Sequence, residues 1–291
     1  GEQHHAGHGE RGQHPCSLPS RPDSDPAPAP GAVVAPPIFD SVPFTPSHVA
    51  AVLPLRRARG GALPLAALAA GSMSPDLPFF VPGLRVLYGW THTAVGVVTL
   101  DVALGLAMWA LWRSVAPALH DLSPTPVRER WTLPARIRPV WWTTALAVAI
   151  GAATHVIWDE FTHAGRFGAT HLPVLAASYP GPFGPLPGYQ YAQYASGVIG
   201  LAVVVWVAAR QPLRPVPPRT RTALGTALPW LSVAAFACGA AVNVARAGGT
   251  GIGLNALAFA VATGGMGAAA AAVVVACWAH AWRLRVATAS D

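Results

Sequence analysis

Lysine is absent from this 291-residue sequence, and charged residues of both signs make up only 11% of it. Soluble domains carry about 25% charged residues, whereas here hydrophobic residues reach 53% and the mean hydropathy is +0.41. The formal net charge of +7 therefore rests on arginine alone. A basic excess can indicate nucleic-acid binding, but these arginines cluster between apolar runs, as in the loops of membrane proteins. The composition indicates an integral membrane protein in contact with a lipid bilayer and gives no support to nucleic acid as a partner.

Several catalytic signatures are also missing. The sequence has no GxSxG motif of serine hydrolases, no HExxH motif of zinc peptidases, and no GxGxxG motif after a strand pattern. The glycine-rich run 248–251 is followed by no lysine, so it is a loop and not a phosphate-binding P-loop. Cys16, Cys238 and Cys277 are scattered and form neither a disulfide framework nor a CxxC site.

The apolar runs predict an all-α fold, a polytopic membrane helical bundle. Residues 1–40 are polar and Pro-rich and are expected to be a disordered tail, because they cannot bury enough apolar surface to fold. Residues 41–291 form the expected integral-membrane domain, with the candidate site within residues 43–200. Five runs approach the ~20 residues that a full span needs. They are Ala94–Trp112, Val140–Trp158, Tyr194–Ala209, Ala223–Val244 and Gly253–Trp282.

One or two short helices precede these spans. Thr45-Pro46 is typical of a helix start, and Leu63–Met73 is an apolar run too short to cross a bilayer. The short segments form either a re-entrant hairpin, which requires protein to cover its broken backbone, or interfacial helices on the membrane surface. The sequence leaves both alternatives open.

The arginines indicate the topology. The loops 113–138 and 210–222 together hold nine of the nineteen arginines, whereas the loop 159–193 holds only Arg166 and the loop 245–252 only Arg246. By the positive-inside rule, we expect the arginine-rich loops to lie in the cytoplasm. We expect the protein itself to lie in the plasma membrane.

The run 154–163 at the end of the second span carries the clearest chemistry. His155, Asp159 and His163 are four residues apart, so a helix would place them on one face. Imidazole and carboxylate are ligands of divalent metals, and ionisable residues in or beside a span are functional candidates. The alternative is that this ladder only marks where the span meets water.

The predicted topology brings further polar residues to the same extracytoplasmic face. Asp76 and His92 precede a span that runs inward, and Asp159 closes a span that runs outward. We expect side-chain atoms of Asp76, His92, His155 and Asp159 to approach one point within about 5 Å, given metal–ligand bonds of roughly 2.0–2.2 Å.

Other polar residues have weaker positions in this scheme. The arginines after His48 draw its helix towards the cytoplasm, and His163 lies near Gly165, a plausible helix stop. Gln193 and Ser196 open a span at the outer face, where they could orient ligands or contact a substrate. Asp101, half a revolution from His92 on a straight helix, is expected to be structural or a proton relay.

Four segments resemble an uncharacterised bacterial multi-pass membrane family known by its Pro-Phe-Thr-Pro-Ser-His opening. They are residues 43–48 (PFTPSH), 71–80 (GSMSPDLPFF), 91–93 (THT) and 155–165. Their order more distantly resembles an inner-membrane metal-dependent hydrolase family typified by a LexA-regulated membrane protein. The resemblance implies metal or catalytic roles for His48, Asp76, His92, His155 and Asp159. Where that family has Pro-Asp-Leu-Asp, this chain has Pro75-Asp76-Leu77-Pro78, which argues against a dinuclear metal site.

Two classes of function follow. The first is a membrane hydrolase with one divalent ion, zinc or manganese, held by residues among His48, Asp76, His92, His155, Asp159 and His163. Metal-bound water would attack a lipid-linked or membrane-proximal phosphate ester or amide, with Asp159 or Glu160 as base. The second is a non-catalytic scaffold or assembly protein whose polar cluster is structural. The sequence determines neither the substrate nor the oligomeric state.

The first testable prediction concerns topology. Single cysteines placed in the loops 113–138 and 210–222 of a cysteine-free variant should resist a membrane-impermeant thiol reagent applied outside the cell, because the arginines hold these loops inside. A cysteine in the loop 159–193 should react. External labelling of either arginine-rich loop would contradict the topology.

Overall fold

The computed structural model describes residues 45–55, 63–131, 133, 140–181, 184–217 and 222–289. The predicted tail, residues 1–40, and the arginines that follow the first short helix lie outside the described residues. The described chain is almost entirely helical and contains one antiparallel pair of two-residue strands, β1 (Ser178–Tyr179) and β2 (Leu186–Pro187). The all-α prediction is confirmed.

The α-helices of the described chain are numbered in chain order. They are α1 (Val49–Val52), α2 (Leu65–Met73), α3 (Leu77–Phe80), α4 (Tyr88–Thr91), α5 (Ala94–Val98), α6 (Leu100–Leu122), α7 (Thr125–Arg128), α8 (Trp141–Thr162), α9 (Phe167–His171), α10 (Pro173–Ala176), α11 (Gly188–Ala209), α12 (Ala223–Arg246) and α13 (Leu254–Ala289). Short 3₁₀ turns occupy Thr45–His48, Ser74–Asp76, Arg85–Leu87 and Gly249–Gly251.

Five of these helices, α6, α8, α11, α12 and α13, are long and apolar enough to cross a bilayer. Many of their large apolar side chains are exposed, among them Val198, Trp206, Trp230 and Val275. An exposed apolar surface of this extent is unfavourable in water and suits a lipid environment. The number of predicted spans is confirmed, and the chain has the features of a polytopic membrane protein.

The first span begins at Ala94 as predicted, but it is interrupted near its start and is longer at its C-terminal end. Thr99 interrupts the helix between α5 and α6, and α6 continues past Trp112 to Leu122. The extension is stabilised by tertiary packing, because Val115, Ala118 and Leu122 are buried in a cluster with residues of α12 and α13. The arginine-rich loop therefore begins ten residues later than the apolar run suggested.

The short helix α2 is buried against α6 and α8. Gly71 of α2 and Gly151 of α8 allow the two backbones to touch: a Cβ on Gly71 would collide with the Val148 carbonyl, and one on Gly151 with the Leu68 carbonyl. Small residues permit such close helix contacts in membranes. Neighbouring protein thus covers the short helix, as a re-entrant segment requires.

The arginine-rich loops contact each other. Arg130 donates a hydrogen bond to the Ala209 carbonyl (3.1 Å), and the buried Arg128 donates one to Pro217 (3.3 Å). The backbone N–H of Arg214 also donates to the Glu129 carbonyl (2.8 Å). Both loops therefore lie on the same side of the bundle, next to the N-terminal end of α8.

The contact between α2 and α8 yields a second testable prediction. Gly151→Ala should lower the free energy of unfolding by about 1–3 kcal/mol, because the added methyl group overpacks a backbone contact. Gly253→Ala is the matched control, since a Cβ at Gly253 meets no atom within 4 Å. Unfolding in mixed detergent micelles measures both. Equal stability of the two variants would show that the helices can separate without cost.

Candidate metal centre

Two buried histidines, His92 and His155, direct their Nε2 atoms to one place, while backbone carbonyls hold their Nδ1 atoms. Nδ1 of His155 lies 2.8 Å from the Ser72 carbonyl oxygen, and Nδ1 of His92 lies 3.2 Å from that of Tyr88. A carbonyl oxygen only accepts, so each Nδ1 carries the proton. The Thr91 hydroxyl, also near His92, donates a hydrogen bond that the Pro75 and Tyr88 carbonyls share (2.8 Å each). Nε2 of both rings is buried without a hydrogen-bond partner.

Carboxylate oxygens of Asp76 and Asp159 meet these two Nε2 atoms. Oδ2 of Asp159 lies 3.2 Å from Nε2 of His155 and 3.3 Å from Nε2 of His92. Oδ1 of Asp76 lies 3.5 Å and 3.8 Å from the same two nitrogens. One ligand atom from each of these four residues lies within 4.8 Å of all the others. The expected convergence within about 5 Å is confirmed.

Four of these distances match those between ligands that share one metal ion. Ligand atoms about 2.1 Å from zinc lie about 3.4 Å from one another, close to the 3.2–3.8 Å separations of the histidine–aspartate pairs. Without a cation, unprotonated Nε2 lone pairs would face carboxylate oxygens inside the protein, and like partial charges repel strongly there. A divalent ion, or a proton on each imidazole, removes this repulsion. The buried cluster of Asp76, His92, His155 and Asp159 could therefore hold a metal ion.

Neighbouring groups orient the carboxylate of Asp76. Its Oδ2 accepts a hydrogen bond of 2.7 Å from the buried hydroxyl of Thr45, which leaves Oδ1 for the two histidines. The Thr91 hydroxyl donates to the Pro75 carbonyl (2.8 Å) and so connects the turn of Asp76 with the bend that carries His92. Partners of this kind fix the direction in which a ligand presents its lone pair.

His48 and His163 lie beside the cluster and are not among its four converging residues. The His48 ring stacks on His155 with 3.9 Å between centroids, and its Nε2 is 3.8 Å from Oδ1 of Asp159. Nδ1 of His163 is 3.4 Å from the same oxygen. The structure thus places His48 at the site, although the neighbouring arginines in the sequence suggested the opposite side.

Gln193 completes the surroundings of His163. Its Nε2 lies 3.1 Å from Nε2 of His163, and its Oε1 is buried without a hydrogen-bond partner. The Ser196 hydroxyl, one turn along α11, accepts from the Trp158 indole (3.2 Å). Gln193 and Ser196 thus line the cavity, and their roles in orienting ligands or contacting a substrate stay predictions.

Glu160 faces the loop after α8. Its Oε2 accepts the backbone N–H of Phe167 (2.9 Å), and its Oε1 lies 3.5 Å from the Arg166 guanidinium. Glu160 is therefore held by groups outside the cluster. Of the two residues predicted as base, Asp159 is the one whose carboxylate lies in the cluster.

Burial changes the protonation of groups around the cluster. It lowers the pKa of His48 to about 4, with the neighbouring His155 acting in the same direction. Burial alone would raise the pKa of Asp76, but the charge that a protonated His155 carries outweighs it and holds that pKa below its usual range. His48 is thus neutral and Asp76 ionised near neutral pH, the forms in which both can bind a cation.

A small cavity of ≈ 30 Å³ adjoins the cluster. Four aromatic side chains and several polar groups line it, and the walls nearest the cluster are His48, Asp76 and His163. The aromatic residues are Phe79, Tyr88, Trp158 and Phe259, and the polar ones are Ser47, Thr162, Gln193 and Ser196. A cavity of this size holds a water molecule or a small polar group.

Asp101 lies near the cluster but outside it. Its side chain is fully buried, and neither carboxylate oxygen has a hydrogen-bond partner. The break at Thr99 separates α5 from α6, so Asp101 and His92 do not lie on one continuous helix. A buried carboxyl group without partners is more stable in its neutral form.

Comparison with known families covers most of the chain. Residues 42–278 match the family described as a domain of unknown function, DUF4184. The chain belongs to this family. The match includes every residue of the cluster and all the helices up to most of α13. No curated protein and no solved structure matches the chain.

The orientation of Asp76 leads to a third testable prediction. Thr45→Val should weaken binding of zinc about 10–100-fold without changing its stoichiometry, because Asp76 loses the partner that fixes its direction. Competition with a chelator measures the affinity. Thr226→Val, which removes an exposed hydroxyl with a purely local bond to Thr222, is the control. Equal affinities in the two variants would argue against Asp76 as a ligand.

Proposed function

We propose that this protein is a membrane-embedded, metal-dependent hydrolase that acts on a lipid-linked or membrane-proximal substrate. The observation that carries the proposal is the pair of unpartnered Nε2 atoms of His92 and His155, aimed with Asp76 and Asp159 at one point beside a cavity. Buried polar atoms without partners are rare in native proteins. Two of them in one place, both metal-binding in type, support a bound ion.

The donor set suggests the kind of ion. Two imidazole nitrogens and two carboxylate oxygens, with no thiolate, suit zinc or manganese. An ion of this type, held by Asp76, His92, His155 and Asp159, would supply Lewis acidity for hydrolysis. One such ion neutralises the two carboxylates, which makes the burial of Asp76 and Asp159 affordable.

The protein groups around the cluster can move a proton. Oδ1 of Asp159 has no hydrogen-bond partner and lies within 4 Å of Nε2 of His48 and Nδ1 of His163. We infer that Asp159 accepts a proton through Oδ1, and that neutral His48, which lines the cavity, passes it on. Gln193 orients His163 and offers its free oxygen to a donor group of the substrate.

The position of the cluster along α8 supports a reaction at the membrane surface. His155 and Asp159 lie about 21 and 27 Å along α8 from its first residue, Trp141, at the helical rise of 1.5 Å per residue. The arginine-rich loops adjoin that first residue. With those loops in the cytoplasm, the cluster faces the outside of the plasma membrane, within reach of lipid headgroups.

Metal content gives the fourth testable prediction. The protein purified in mild detergent without chelator should carry about one zinc or manganese ion per chain and should be stabilised by it, since a ligand bound only to the folded state stabilises that state. His155→Ala should lose the ion. Asp101→Asn should keep it, because Asp101 is not among the four converging residues. Elemental analysis and melting curves with and without chelator measure the effect.

The same preparation tests the reaction. Loaded protein should hydrolyse a phosphate ester or an amide at a rate that falls to background in His155→Ala, with size-exclusion chromatography confirming that the variant is folded. Absence of metal together with a melting curve insensitive to chelator would instead favour a non-catalytic scaffold. In that case two imidazolium–carboxylate pairs would neutralise the cluster.

A further inference from the structure

Two arginines lie beside the cavity on the face where arginine is otherwise scarce. The segments predicted to be extracytoplasmic, 76–92, 159–193 and 245–252, contain only Arg85, Arg166 and Arg246. Arg85 contacts aromatic residues that line the cavity, and Arg166 pairs with Glu160, the neighbour of Asp159 in the chain. A basic group at a substrate opening indicates the charge of the substrate.

Arg85 contacts the aromatic wall of the cavity, which consists of Phe79, Tyr88 and Phe259. Its guanidinium carbon is 5.4 Å from the centre of the Phe259 ring and 5.9 Å from that of Phe79. These rings meet edge to face at 5.0 Å, and Phe79 also packs on Tyr88 at 4.2 Å. A guanidinium can lie on an aromatic ring and bind a phosphate through its planar N–H donors. The aromatic wall therefore holds the charge of Arg85 next to the opening.

Arg166 pairs with Glu160, the residue that follows Asp159 in α8. It acts on the hydroxyl of Tyr88, which lines the cavity, and lies 3.5 Å from Oε1 of Glu160. Tyr88 in turn packs against the His92 ring at 4.3 Å. Glu160 compensates part of the charge of Arg166 and limits where its side chain can lie. Tyr88 thus connects Arg166 to a residue of the cluster.

The charge balance explains why these arginines matter. Two carboxylates and one divalent ion sum to zero, so a loaded cluster has little long-range attraction for an anion. Arg85 and Arg166 are arginines that the structure places near the lining of the cavity, and Glu160 pairs with Arg166. An amide or carboxylic ester would not need them, whereas a phosphate group would.

We propose that the pocket recognises a terminal phosphate group, with Arg85 and Arg166 binding the anion at the opening and the cluster beneath it. This inference rests on the proposed function, and it selects phosphate esters over amides as the substrate class. A phosphate on a lipid headgroup and a phosphate on a soluble molecule share this chemistry. Arg85 and Arg166 are specificity-determining residues, and the metal ligands are the same with or without them.

Binding of inorganic phosphate tests the proposal directly. Metal-loaded protein in phosphatidylcholine nanodiscs should melt at higher temperature as phosphate replaces chloride at constant ionic strength. Arg85→Gln and Arg166→Gln should each raise the apparent dissociation constant about tenfold or more, as expected for loss of a charge-assisted hydrogen bond. Arg246→Gln, on the same predicted face but away from the cavity lining, should bind phosphate like the original protein.

Two measurements separate the possible results. Elemental analysis should find equal metal in all four proteins, and melting without phosphate reports whether each variant folds. If Arg85→Gln does not fold, Arg85→Lys should fold and retain part of the affinity, since lysine keeps the charge without the planar donors. Equal phosphate affinity in every variant, with metal present, would overturn the phosphate proposal and leave the metal centre standing.

Nanodiscs of a second lipid composition distinguish the source of the phosphate. Replacing a tenth or so of the phosphatidylcholine by phosphatidic acid should stabilise the protein without added phosphate if the group is reached from the membrane. A response to soluble phosphate alone would assign a soluble ester. Both results support the proposal when the Arg85 and Arg166 variants respond less. A metal-free protein that responds to neither source would overturn this proposal and the hydrolase together.

Discussion

The contact between α2 and α8 is the constraint on which the site depends. Gly71 and Gly151 let the two backbones meet, and this brings the Ser72 carbonyl within 2.8 Å of Nδ1 of His155. That hydrogen bond fixes the tautomer of His155 and leaves its Nε2 for the cluster. A larger side chain at either glycine would separate the helices and release the histidine from its orienting partner.

The other ligands are positioned by interruptions in the helices. Asp76 lies in a 3₁₀ turn that begins at Ser74, and His92 lies at the bend between α4 and α5. A continuous helix would turn these side chains away from one another, whereas short elements joined by the bond from Thr91 to Pro75 bring them together. Broken helices are tolerated at membrane depth only where protein covers them. The same breaks that make this part of the bundle irregular therefore create the site.

The electrostatic arrangement is consistent with a cation at the centre and an anion at the opening. Asp76 and Asp159 are buried carboxylates whose nearest ionisable partners are imidazoles, a costly arrangement that a divalent ion would stabilise. Further out, Arg85 and Arg166 meet the aromatic wall of the cavity. Negative ligands inside and positive groups outside would attract first a metal and then an anionic substrate.

The sequence by itself determined the membrane class, the number of spans and four of the residues that converge. Spans follow from the length of apolar runs, and the spacing of His155 and Asp159 follows from the helical repeat. Only the tertiary structure decided the place of His48, the outward turn of Glu160 and the extension of α6 to Leu122. These three features depend on contacts between residues far apart in the chain, such as the stacking of His48 on His155. Local periodicity in the sequence does not predict such contacts.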